Sequence, residues 1–182
     1  MKQGIETELK YLINRLPEGL VDKKEIHQTY LVKEEHEAFL KRIFNLESIE
    51  QFNTMRVRKT IKGASTIYMI NIKTKGAISR MEYEAALTLE QYEELLKKTV
   101  LSTIVKNRYL VKKDGFNFEF DEFLSLKDPM FTVEVELDKE KLALDQPKIE
   151  NILSYEIGLK YKDVTIDPRY KNVNLEHYFG KK

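Results

Sequence analysis

The chain has 182 residues, 42% of them hydrophobic, which is enough for one domain with its own apolar core. Charged residues make up 34%, yet 31 bases against 30 acids leave a net charge of +1. That balance excludes a disordered polyelectrolyte and argues against a nucleic-acid partner, since proteins of that class carry a clear basic excess. With no cysteine there is no disulfide framework, Cys nucleophile or thiolate zinc site. The N-terminus lacks an apolar signal core and no apolar run reaches transmembrane length, so the expectation is a cytoplasmic protein with no membrane partner.

In chain order, period-two patterning predicts strands over 4–13 and 26–33. A helix is then expected from Glu34 to Asn45, with Ala38, Phe39, Leu40, Ile43 and Phe44 forming its apolar stripe. Strands over 53–62, 65–75 and 79–87 follow. Thr88 and Gln91 have the spacing of a capping box, predicting a second helix that buries Leu95 and Leu96 and ends near Lys98. Strands over 104–112 and 115–124 meet at the hairpin turn Lys113-Asp114-Gly115, and a further strand covers 130–138. A third helix is expected to start at Pro147, carry Ile149, Ile152, Leu153 and Ile157, and stop at Gly158. The polar, aromatic tail with Arg169, Tyr170, Asn172 and Tyr178 has no readable period. Nothing marks a domain boundary, so residues 1–182 are read as one domain.

Residues two apart in a strand share a face. On that rule Glu6, Glu8 and Lys10 share one face and Ile5, Leu9 and Tyr11 the other. The pattern recurs as Arg56 with Arg58, Lys73 with Lys75, Arg80 with Glu82 and Glu84, Lys106 with Arg108, Glu119 with Asp121, and Glu134 with Glu136. A single strand of this kind is ordinarily a solvated face. Repetition changes the reading, because like charges about 7 Å apart repel by roughly 2 kcal/mol at an effective dielectric near 20. Strain of that size needs partners, which acidic and basic strands facing one another across a closed barrel provide, together with a bound polyanion and cations.

The apolar strand faces then point outward, and the helices cover them. The expected fold is α+β and β-dominated: an eight-stranded antiparallel closed barrel, a tunnel with a charged interior and helices packed outside. Lys and Arg bind phosphates through charge-assisted hydrogen bonds, and Glu oxygens bind Mg2+ or Mn2+. Together they equip a site for phosphoryl transfer.

These residues carry a family resemblance. Glu6-Thr7-Glu8-Leu9-Lys10, Gln28-Thr29-Tyr30-Leu31, Arg56-Val57-Arg58, Ile72-Lys73 and Arg80-Met81-Glu82-Tyr83-Glu84 follow in order. After them come Lys106-Asn107-Arg108, Glu119-Phe120-Asp121-Glu122-Phe123, Glu134-Val135-Glu136-Leu137 and Val164-Thr165-Ile166-Asp167 with Arg169-Tyr170 and Asn172. The set resembles the CYTH superfamily, or triphosphate tunnel metalloenzymes, over nearly the whole chain. The resemblance implies metal-dependent hydrolysis of a triphosphate with Mg2+ or Mn2+. It implies Glu6, Glu8, Glu134 and Glu136 as metal ligands, with Glu119 and Asp121 as further candidates. Lys10, Arg56, Arg58, Lys73, Arg80, Lys106, Arg108 and Arg169 are implied as phosphate holders, and Glu82 and Glu84 as further tunnel acids. Lys10, Arg58 and Lys73 are the candidate catalytic residues, with Lys10 activating or orienting the attacking water.

Inorganic tripolyphosphate is the leading substrate, and ATP and thiamine triphosphate are the other triphosphate partners weighed. Adenylate cyclase activity, thiamine triphosphatase activity and a polyphosphate-binding module without turnover remain as alternatives, and a homodimer stays open. Two departures from the family stand out. The segment 34–45 is an insertion expected to cover a tunnel mouth, and Lys75 is read as a solvated strand end. His27, His36 and His177 lack ligand spacing and are set aside. Tyr83, Tyr109, Phe118 and Phe120 face away from the charges and are read as core.

Overall fold

The computed structural model describes residues Met1–Lys182. Nine strands form: β1 (Lys2–Ile13), β2 (Lys24–Leu31), β3 (Phe52–Lys62), β4 (Ser65–Thr74), β5 (Ser79–Leu87), β6 (Val100–Lys113), β7 (Phe116–Phe123), β8 (Met130–Glu136) and the short β9 (Tyr161–Asp163). The sheet order is β5-β4-β3-β2-β6-β7-β8-β1, and pairing of β1 with β5 closes it into an antiparallel eight-stranded barrel. Closure is staggered on β1. Lys2 to Thr7 pair with β5, and Glu8 to Ile13 pair with β8. Beyond β5, β9 takes up the free edge of β1 at Tyr11 to Ile13. The Glu6-x-Glu8-x-Lys10 run therefore straddles the point where the strand changes partners.

The barrel is inverted, as the alternation requires. Outward-facing Val57, Ile70, Ile72 and Ala85 join Leu40, Phe44, Tyr92 and Leu95 in one buried cluster, so the helices α1 (Glu37–Phe44) and α2 (Leu89–Leu95) cover β3 to β5. On the other side Leu9, Tyr11, Phe118, Phe120, Val133 and Val135 pack under Ile149, Ile152 and Leu153 of α3 (Leu142–Asn151) and the turn after it. Burial of such side chains is worth about 1.5–3 kcal/mol each and is what holds helices to barrel. Phe118 and Phe120 are fully buried and Tyr83 and Tyr109 pack against the two clusters, which fits their reading as core.

Local signals act as their chemistry demands. Thr88 Oγ1 accepts from Gln91 N at 3.1 Å while Gln91 Oε1 accepts from Thr88 N at 2.9 Å, a complete capping box. Asp114 and Gly115 have φ of 50° and 83°, the left-handed pair that turns a two-residue hairpin between β6 and β7.

Two sequence expectations are corrected. Pro147 lies inside α3 rather than at its start, because the turn before the helix begins at Asp138, whose carboxylate accepts from Glu140 N at 3.1 Å and launches the chain earlier. The segment 34–45 does not cover a tunnel mouth. Its Leu40 and Phe44 are drawn into the outer apolar cluster, and none of its residues lines the interior.

The tail supplies the cover instead. After β9, residues 164–174 leave β1 and cross the end of the barrel in 3-10 turns, and α4 (Leu175–Phe179) follows. Val164 N donates to Lys10 O on β1, Ser102 Oγ on β6 donates to Val173 O, and Lys171 Nζ donates to Gly76 O in the β4–β5 loop. Val164, Tyr170 and Leu175 anchor the crossing in a third cluster with Ile104, Phe123, Leu126 and Met130. No helix is long and apolar enough to cross a membrane.

Candidate active site

The barrel encloses a cavity of about 260 Å³. Its walls carry Glu6, Glu8, Lys10, Arg56, Arg58, Lys73, Arg80, Glu82, Glu84, Lys106, Arg108, Glu119, Glu134 and Glu136. The structure thus brings together every charged residue singled out from the alternation except Lys75 and Asp121. Lys75 is exposed beyond the end of β4. Arg169, named through the resemblance as a phosphate holder, is also outside. It is half exposed and clasps Asp167, a residue that does line the cavity, through Nε at 3.0 Å and Nη2 at 2.6 Å.

Asp121 points inward but is sealed in the wall, with a side chain 0% exposed. It accepts from Lys106 Nζ at 2.5 Å, from Arg108 Nε at 2.6 Å and from Arg108 Nη2 at 2.6 Å. Both of its oxygens are thus taken by the two bases Lys106 and Arg108. Arg108 also donates to Glu119 and Glu134, and Lys10 Nζ reaches Glu134 Oε1 at 2.9 Å.

The opposite wall is built differently. Arg56 and Arg58 on β3 meet Glu82 and Glu84 on β5 at 3.7 and 2.9 Å, spanning β4. Beneath that span lies Asn71, in register with both Arg56 and Glu84, 2% exposed and with neither side-chain polar atom partnered. The Nε atoms of Arg56 and Arg58 are likewise unpartnered. Lys73 Nζ donates to Glu6 Oε2 at 2.5 Å, and Arg80 Nε donates to the same oxygen at 3.0 Å.

The electrostatics follow from these pairings. Burial raises the Glu6 carboxyl, but Lys73 and then Arg80 overcome it and hold the group at about 2. Glu134 is likewise held well below the usual carboxylate range, against its burial, by Lys10, Lys106 and Arg108. Glu8 goes the other way: burial, then the neighbouring Glu134 and Glu6, push it up to about 7. Its nearest base is Arg80 Nη2, at 3.8 Å. Burial and then Arg108 push the Lys106 ammonium down to about 8. Lys73 is lowered by burial and then by Arg56.

Glu8 is thus an acid among acids, the place where an added cation relieves the most repulsion. Glu136, its cross-strand partner, makes no ion pair. The donor set is all carboxylate oxygen, which suits a hard divalent cation, although no cluster of three or more acidic or His side chains is drawn in tightly enough to form a cage by itself.

Sequence reasoning assigned no role to Gln28, Tyr30, Thr165 and Asn172, all of which line the cavity. Alternation could have found Gln28 and Tyr30, which share a face of β2. Thr165 and Asn172 lie in the tail, where no period exists to give a facing.

An antiparallel eight-stranded tunnel with acids and bases interleaved along its interior defines a triphosphate tunnel protein of the CYTH superfamily. No family model matches the chain. It is 32% identical over 174 residues to an inorganic triphosphatase of Nitrosomonas europaea, covering 93% of this chain and 95% of that one. It is 33% identical over 117 residues to an inorganic triphosphatase of Acetivibrio thermocellus, covering 64% and 62% of the two chains. The crystal structure of an inorganic triphosphatase superposes with a TM-score of 0.54 at 26% identity, over 93% of each chain. The chain belongs to the inorganic triphosphatase family.

Proposed function

We propose that the protein hydrolyses inorganic tripolyphosphate to pyrophosphate and orthophosphate. The observation that carries this is the convergence of Lys10, Arg56, Arg58, Lys73, Arg80, Lys106 and Arg108 on one cavity of about 260 Å³. That volume is below the roughly 300–1,000 Å³ typical of sites for drug-sized ligands, and the lining is mostly charged. Both features suit a bare phosphate chain better than a nucleoside. The reading also agrees with relatives named inorganic triphosphatase.

Each of these seven bases rests against an acid, so a bound polyphosphate exchanges carboxylate partners for phosphate oxygens at little net change in charge pairing. Arg56 and Arg58, with unpartnered Nε–H groups, are the readiest to turn. A water attacks the terminal phosphorus, the bond to the bridging oxygen breaks, and pyrophosphate leaves with the electron pair. Arg and Lys donors stabilise the charge on the departing oxygen. Lys10, hydrogen-bonded from two sides, orients the water or the terminal phosphate. A divalent cation, Mg2+ or Mn2+, would be held by Glu8 and Glu136 with Glu6 and Glu134, and would supply charge neutralisation at the phosphate oxygens.

The test is a panel of tripolyphosphate, ATP and thiamine triphosphate incubated with Mg2+ or Mn2+ and with chelator. Orthophosphate release from tripolyphosphate, abolished by chelator, is expected. Cyclic AMP from ATP would establish a cyclase instead, and binding with no product from any substrate would establish a binding module.

A further inference from the structure

Lys10 is 7% exposed and held from two directions. One partner is Glu134, which it shares with Arg108. The other is Asn172 on the segment crossing the tunnel end, whose Oδ1 accepts from Lys10 Nζ at 2.7 Å and serves no other donor. Asn172 is itself oriented, because its Nδ2 donates to Gln28 Oε1 at 3.4 Å. The ammonium, a donor only, fixes which amide atom faces it. The backbone of Lys10 is gripped by the same segment: Thr165 Oγ1 accepts from Lys10 N at 3.0 Å and donates to Lys10 O at 3.3 Å, and Val164 N donates to Lys10 O at 3.0 Å.

An ammonium has three donors. Glu134 and Asn172 take two, which leaves one for the cavity. A carboxamide is the suitable partner at this point, since it orients the cation without placing a further negative charge beside a polyanion.

We propose that Asn172 is a positioning residue for Lys10, so that the carboxy-terminal segment is a working part of the active site and not only its end wall. This rests on the reading of the tunnel as a polyphosphate site. Its signature is that Asn172 acts only through Lys10.

A double-mutant cycle on the full chain tests it, with tripolyphosphate affinity read by calorimetry and phosphate release read in parallel. Asn172→Ala is expected to weaken tripolyphosphate binding about ten-fold, the size of a lost hydrogen bond to a charged group. In a Lys10→Ala background the same substitution is expected to change affinity less than about two-fold. Asn172→Ser, which keeps a polar group but withdraws the acceptor, is expected to repeat the pattern should the alanine variant fold poorly. Equal losses with and without Lys10, or no loss in either, would overturn the assignment. Binding without turnover in the wild type would sink the hydrolase reading alone and leave the cycle to decide Asn172. No binding of tripolyphosphate by the wild type would sink both.

Discussion

The two walls of the tunnel use the same sequence device, like charges two residues apart, to opposite ends. On β6 to β8 the acid sits directly across from the base: Arg108 and Asp121 are register partners, and Lys106 and Asp121 have side chains 1% and 0% exposed. On β3 to β5 acid and base lie on strands separated by β4 and meet over a short Asn71, with Arg56 and Glu82 only 3.7 Å apart. Adjacent strands give a close ion-pair lattice around the sealed carboxylate of Asp121, while Lys106 and Arg108 still line the cavity. Across β4 the pairing is looser at Arg56 and Glu82, and the Nε atoms of Arg56 and Arg58 stay unpartnered. The first wall is centred on a sealed scaffold acid, the second on pairs open to exchange.

The largest expected effect lies on the scaffold. Asp121→Ala leaves Lys106 and Arg108 buried without their acid and should cost about 3–5 kcal/mol of stability in urea unfolding, whereas Glu119→Ala at the more exposed end of the same wall should cost less than about 1 kcal/mol. Equal losses would erase the distinction between the walls.

Next in size, Arg56→Ala should lower kcat/KM for tripolyphosphate about 100-fold, since a hydrogen bond from a charged group is worth about 1.5–3 kcal/mol, while shifting stability by under about 1 kcal/mol. A variant that loses stability and activity together would place Arg56 in the scaffold.

The third effect is one of pH. Glu8 titrates at about 7 in the folded protein against an ordinary 4.5, so between those values the native state binds the extra proton and stability falls as pH rises. Without divalent cation the loss is on the order of 3 kcal/mol across that window, and Glu8→Gln should remove it. A melting temperature that rises or stays level over the window would contradict the assigned environment. The smallest effect belongs to Asn71. Replacing its unpartnered amide by Leu should stabilise the protein by about 1 kcal/mol, measured by the urea midpoint, and a loss instead would show a partner for the amide in solution.

Much of this was legible in the sequence. Strand alternation placed Arg56, Arg58, Lys73, Arg80, Glu134 and their fellows on the inner face because period two fixes facing without reference to neighbours. Depth along the wall is another matter. Asp121 and Glu119 share a face and a pattern, yet one is sealed and the other half open, because that is decided by which base stands opposite, a fact of register between β6 and β7. Pro147 misled for a similar reason: a proline fits the first turn of a helix best, but here the cap at Asp138 started the helix upstream of it. Segment 34–45 reads equally well as a mouth cover or an outer brace, and only the apolar cluster it meets settles which. The tail was opaque because it is made of single turns with no repeating face, and it delivered Asn172 to Lys10.

The most direct measurement is phosphorus NMR of tripolyphosphate incubated with the protein and Mg2+ or Mn2+. The tripolyphosphate resonances are expected to disappear as pyrophosphate and orthophosphate grow in equal molar amounts, and chelator or Arg56→Ala should all but stop the change. Unchanged tripolyphosphate in the presence of either metal would contradict the proposed hydrolysis.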